Sequence, residues 1–160
     1  MKKSLIIILI IIAVIVIGVG VLITSLNKEK VAITADTFKS TMETKGYIVS
    51  DVTSQFAQYG NYITKAYVAQ NGTDYQIEFY ELSNLDNATS FYNTNKTKFE
   101  SQKGNASSSF NASMKNYSTY SVTTNGKYKF VSRVDNTVIY IDVDTTYQDA
   151  VKSIIKELGY

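Results

Sequence analysis

The hydrophobic pattern divides the chain in two. Leu5 to Ile23 is an unbroken apolar run of 19 residues with no charged or strongly polar side chain. At helical rise it reaches roughly 28 Å, about the hydrocarbon thickness of a bilayer. A lone span in lipid must be helical, because its backbone groups have no other partners. The run therefore predicts a transmembrane helix over 5–25, behind a cytoplasmic tail 1–4. A cleaved secretory signal would have a shorter apolar core and a small-x-small cleavage site. Ile23-Thr24-Ser25 fits that poorly, and no cysteine is present for lipid attachment. Lys2, Lys3 and the terminal amine precede the run, and Lys28, Glu29 and Lys30 follow it. The short basic tail favours the N-terminus inside and the rest outside.

After a charged linker, 26–33, the apolar positions become periodic. Thr34 reads as an N-cap, Phe38 and Met42 lie one helical turn apart, and Gly46 is a stop, which predicts a helix over about 35–45. Tyr47–Val52 reads as a strand and Thr53–Asn61 as a loop. Ile63–Gln70 and Thr73–Leu82 alternate around Asn71-Gly72, the preferred two-residue hairpin turn. Taken literally, that turn pairs Lys65 with Glu78 and puts Ala66, Val68, Tyr75, Ile77 and Phe79 on the core side. Ser83 and Asp86 have capping-box spacing, and a second helix follows with Leu85, Ala88, Phe91, Tyr92 and Phe99 on one stripe.

Gln102–Met114, rich in Ser, Asn and Gly, reads as a mobile loop. Two more turns, Asn125-Gly126 and Asp135-Asn136, predict a meander of Tyr117–Thr124, Lys127–Val134 and Thr137–Asp144. Its inner face carries Tyr128, Phe130, Val134, Ile139, Ile141 and Val143. Thr146 and Asp149 start a third helix bearing Val151, Ile154, Ile155 and Leu158, which Gly159 ends. The expected architecture is α+β over 34–160, an antiparallel sheet with three helices packed mainly on one face. The helix–strand order also hints at an internal duplication that no residue identity supports.

Composition narrows the chemistry. Histidine and cysteine are absent. That removes Ser-His-Asp and Cys-His constellations, an imidazole base, and His or thiolate metal sites. The whole chain is formally +2, but from Val31 onward 12 basic and 13 acidic side chains give −1. That balance carries no electrostatic footprint for nucleic acid.

Asp142 and Asp144 share a strand face and could hold a hard cation. The meander register instead sets Lys129 opposite Asp142 and Lys127 opposite Asp144, a plainer pairing. Glu78 and Glu81, at odd spacing on a strand, point to opposite faces. Six Asn-x-Ser/Thr sequons, at Asn71, Asn87, Asn95, Asn105, Asn111 and Asn116, match the chance expectation for so much Asn, Ser and Thr. No catalytic, cofactor-binding or metal-ligating set emerges, and no cofactor is expected.

The stretches Tyr75–Leu82, Arg133–Tyr140 and Ile154–Tyr160 carry a resemblance. With the anchor, they are similar to uncharacterised membrane-anchored, lipoprotein-like extracytoplasmic domains of low-GC Gram-positive bacteria. The resemblance implies a single-pass cell-membrane protein displayed at the bacterial surface, and it transfers no catalytic residue. The functional expectation is a non-enzymatic binding or accessory domain with a protein partner or a cell-wall glycan. The alternatives are a carboxylate-dependent cell-wall hydrolase and a structural subunit of a membrane complex. The candidate binding face is the side of the sheet away from the helices. There Tyr120, Val131 and Tyr140 line up across three strands, flanked by Val122 and Val138, with Tyr67, Tyr80 and Ile63 on the corresponding side of the first hairpin.

Overall fold

Residues 29–160 are described in a computed structural model, and the anchor expected over 5–25 lies outside the described residues. No helix among the described residues is long and apolar enough to cross a membrane.

Helix α1 spans Ala35–Thr44, where the Thr34 hydroxyl accepts the Thr37 amide at 3.1 Å. Strand β1 (Ile48–Asp51) leads to a 3₁₀ segment, Thr53–Tyr59, then β2 (Ile63–Asn71) and β3 (Tyr75–Leu82). Helix α2 (Leu85–Ser101) follows, then β4 (Ser108–Ser113), β5 (Tyr117–Thr124), β6 (Lys127–Val134) and β7 (Thr137–Asp144). A short 3₁₀ turn, Thr145–Tyr147, enters α3 (Gln148–Glu157). The strands form one antiparallel sheet in the order β1-β2-β3-β7-β6-β5-β4. The α+β class with an antiparallel sheet is as the patterning predicts.

The meander pairs as its turns dictate: Thr124 faces Lys127, Val134 faces Thr137, and Lys129 faces Asp142. Asn125 and Gly126 both hold positive φ, the conformation a tight hairpin requires.

The first hairpin corrects its expected register. Asn71 pairs with Tyr75 rather than forming the turn, so Gly72-Thr73-Asp74 is the loop and the register moves by three residues. Lys65 faces Glu81, not Glu78. An odd shift turns every β2 side chain to the opposite face relative to β3, so Ile77 and Phe79 keep the α1 side while Ala66 leaves it. Both faces of this hairpin are covered, and the observed register sets the largest buried side chains against apolar partners, although Val68 faces Glu78. Tyr67 meets Phe79 and Ala69 meets Ile77 on one side, while Ala66 meets Tyr80 on the other. The literal turn would have set Tyr67 against Gln76 and Thr64 against Phe79.

Four further corrections concern ends and cover. The segment 102–114 contains β4, an edge strand paired along its length with β5. The α2 cap is Asn84, whose side chain accepts the Asn87 amide at 2.8 Å, rather than Ser83. At the C-terminal end the Asp144 carboxylate, not Thr146, caps the turn before α3. The expectation of helices mainly on one face fails for α2, and the sheet is the middle of three layers.

On one face, α1 and α3 bury Phe38, Met42, Val151 and Ile155 against Phe79, Phe130, Ile139 and Ile141. Phe38 stacks on Phe79 at 4.9 Å. On the opposite face, Ala88, Tyr92 and Phe99 of α2 pack on Tyr80, Tyr120, Val131 and Val138.

Candidate functional site

The residues expected to form an exposed binding face are mostly core. Tyr120, Val122, Val131 and Val138 are at most 1% exposed, sealed between the sheet and α2. Tyr80 and Ile63 lie buried on that same side. Tyr80 packs between Phe56 and Phe91, and its hydroxyl donates to Glu78 Oε2. Tyr67 is buried on the other face, with α1. Tyr140 is half-buried, its ring 5.1 Å from Phe99. Burial, then the neighbouring Asp142 and Glu78 carboxylates, push its phenol up to about 12. The sheet brings Tyr120, Val131 and Tyr140 together across three strands, and α2 then covers them.

The acidic candidates are engaged. The Lys129 ammonium meets Asp142 Oδ2 at 2.5 Å, and Asp144 is occupied as the cap of Thr146. Asp51 accepts from Thr53 and Lys65. Among the described residues no three His, Cys, Asp or Glu side chains converge to hold a metal ion.

The open concavity lies on the α1/α3 face, and dimensions explain it. Seven strands about 4.8 Å apart make a sheet about 29 Å wide, whereas two helices side by side cover about 20 Å. With α1 over β1–β3, cover thins toward β5 and β4. What remains is a groove of about 620 Å³. Its floor is Tyr128 and Phe130 of β6 with Phe110 of β4, a residue that is 60% exposed. Thr119 and Ser121 of β5 add hydroxyls, and Ile155 and Tyr160 form the wall beside α3.

Three lysines ring this floor, Lys152 and Lys156 from α3 and Lys30 from the linker, and no acidic side chain lines it. Lys152 Nζ sits 5.3 Å above the Tyr128 ring and Lys30 Nζ 4.9 Å above Tyr117, cation–π contacts that hold charge near the aromatic floor. Burial pulls the Lys30 ammonium below the ordinary lysine range.

Asn116, noticed in the sequence only as a sequon, fixes Lys30 in place. Its amide nitrogen donates to the Lys30 carbonyl at 2.7 Å, and its Oδ1 accepts the Lys30 amide at 3.2 Å. The Asn116 carbonyl in turn accepts from the Asp135 amide and from Arg133 Nη1. The linker is thereby tied to the end of the sheet where the β4–β5 and β6–β7 turns lie. Tyr160 reaches the same end, its hydroxyl bonded to that of Thr137. Nothing in local patterning points to this arrangement, because an Asn that recognises a distant backbone carries no periodic signal.

A second concavity of about 360 Å³ lies between the 3₁₀ segment and α2, lined by Phe56, Tyr59, Tyr62 and Phe91 with Thr94 and Asn95. Its polar groups are partly spent, since Tyr62 donates to the Asn87 carbonyl and Asn95 to that of Phe91.

No protein-family model matches the chain, and neither a curated protein nor a solved structure does. The site is therefore read from its own geometry.

Proposed function

We propose that the chain is a membrane-anchored, extracytoplasmic binding or accessory domain that works without catalysis, and that its ligand-facing surface is the groove beside the linker. One observation carries this reading: an apolar, aromatic floor ringed by three lysines, with no acidic side chain lining it. Binding sites are typically concave and mostly apolar, with a few placed polar groups that fix orientation. The groove combines that surface with cations suited to an anionic ligand. Asp142, Asp144 and Asp51 are engaged by lysine or threonine partners and no acid lines the groove, which favours binding over the hydrolytic alternative.

The test is photo-crosslinking in intact cells with a reactive residue in place of Phe110. A specific adduct that disappears when Lys152 and Lys156 are both changed to Glu is the expected result. Turnover of peptidoglycan, peptide or ester by the purified chain, abolished by one acid-to-amide substitution, would overturn the non-enzymatic reading.

A further inference from the structure

We propose that the occupant of the groove is the anionic headgroup layer of the bilayer in which the same chain is anchored, so that the domain lies down on its own membrane. The inference rests on the anchored-domain reading above and adds the ligand class.

Distance comes first. The apolar run ends at Ile23, and Lys30 lines the groove. Seven residue steps of chain reach at most about 25 Å, whatever their conformation. Lys30 is tied by both Asn116 bonds to one end of the sheet, so that end is held near the bilayer surface.

Charge placement comes second. Lys156 and Tyr160, at the C-terminal end of α3, line the groove together with Lys30. Glu29, the nearest acid along the chain, is paired with Lys115 at 3.0 Å. The ring of ammonium groups is therefore positioned over headgroup phosphates, whose oxygens accept their N–H bonds.

Apolar surface comes third. Val31, 85% exposed, adjoins Lys30, and Phe110 is exposed on the groove floor. Basic side chains around exposed apolar ones suit an interfacial contact, with charge at the phosphates and rings at the acyl boundary.

The chain has no cysteine, so single labelling sites are clean. Full-length Phe110→Cys and Thr73→Cys chains, each carrying an environment-sensitive fluorophore, go into nanodiscs that contain nitroxide-labelled lipid. One set is phosphatidylcholine alone and the other holds an equal part of phosphatidylglycerol. Quenching at position 110 in the anionic discs only, with position 73 at the far end of the first hairpin unquenched in both, is the expected result.

Each lysine at an anionic surface changes partitioning about fivefold, so Lys30→Gln, Lys152→Gln and Lys156→Gln together lower the docked-to-free ratio about a hundredfold. Arginine at the same three positions keeps the quenching, which separates charge loss from misfolding. Raising salt from about 0.1 to about 1 M releases the domain, because the Debye length falls from about 10 to about 3 Å.

Equal quenching in neutral and anionic discs would overturn the proposal, since tethering alone would explain it. Release by soluble glycerol phosphate at constant ionic strength would assign the groove to a free phosphate ester instead of a lipid. An unquenched chain that still forms the crosslinked adduct in cells would sink the lipid inference and spare the binding domain. A chain extracted from membranes by alkaline carbonate would sink the anchored reading itself.

Discussion

Strand β5 shows how differently the two faces of the sheet are used. Tyr120 and Val122 point toward α2 and are each 1% exposed. Their neighbours on the other face are Thr119, Ser121 and Thr123. The Thr119 hydroxyl pairs with that of Ser132, Thr123 donates to Gln148, and Ser121 borders the groove. The side that meets a helix is apolar, and the side that meets the groove bears hydroxyls. One 17-residue helix, about 25 Å long, crosses several strands on its face. Two 10-residue helices leave the end of the sheet uncovered on theirs. The lesson is that cover, more than strand composition, determines which aromatic residues are available to a ligand. Tyr120 is core because α2 crosses it, and Phe110 is open because no helix among the described residues does.

The strongest way to break this comparison is to substitute adjacent residues of β5. Tyr120→Ser, or Phe99→Ala on the helix above it, removes packed volume from the α2 face and should cost about 3–5 kcal/mol of unfolding free energy. Ser121→Val, one residue along and facing the groove, should stay within about 0.5 kcal/mol of the parent. Chemical denaturation of the three variants reads both numbers. Tyr120→Ser at parent stability would mean that α2 does not cover this face.

Much of this arrangement was legible in the chain, and the failures have physical causes. The meander was readable because Asn125-Gly126 and Asp135-Asn136 lie between strands whose alternation agrees with those turns. Asn71-Gly72 carries the same local signal, yet burial on both faces of that hairpin outweighed it and moved the register by three residues.

The position of α2 was also written in β5, where Thr119-Tyr120-Ser121-Val122 alternates with its apolar side away from α1 and α3. That alternation implies cover on the far face. Strand tyrosines are not surface by default, and Tyr80 and Tyr120 bury their rings on the α2 side. The groove itself could not be read, because it depends on how far three helices extend across seven strands. Nor could the tie between Asn116 and Lys30, which lie 86 positions apart.

Lysines sharpen the same contrast with a smaller expected effect. Lys129 lies under the edge of α2, its Nζ 5.4 Å from the Phe99 ring and its side chain 10% exposed, in contact with Asp142. Lys152 and Lys156 stand at the open groove. Removing one partner of a largely covered ion pair leaves the other charge poorly solvated. Lys129→Ala should therefore cost about 1–3 kcal/mol, while Lys152→Ala should cost no more than about 0.5 kcal/mol. A double-mutant cycle with Asp142→Ala should return a coupling energy of at least about 0.5 kcal/mol. Zero coupling, or equal losses at positions 129 and 152, would place Lys129 in open solvent and remove the asymmetry.

The finest test is alkaline and concerns Tyr140. As part of an exposed patch, this phenol would ionise near its ordinary value of about 10 in both folded and unfolded chains, and would leave stability unchanged with pH. Beneath the end of α2 its value is pushed up to about 12 by burial first, then by Asp142 and Glu78. Tyrosine is charged when deprotonated, so a raised folded value means that the unfolded chain loses its proton first as pH rises. The stabilising contribution is whole below about pH 10 and is lost progressively between about 10 and 12. The slope from one group is at most about 1.4 kcal/mol per pH unit, and water at the exposed edge of the ring reduces it. Tyr140→Phe should therefore match the parent at pH 7 and lose stability less steeply between about pH 10 and 12. Denaturation midpoints at pH 9, 10 and 11 for the two chains measure the difference. Parallel pH profiles would show that Tyr140 titrates as a free phenol, and the α2 face would then be open at that strand.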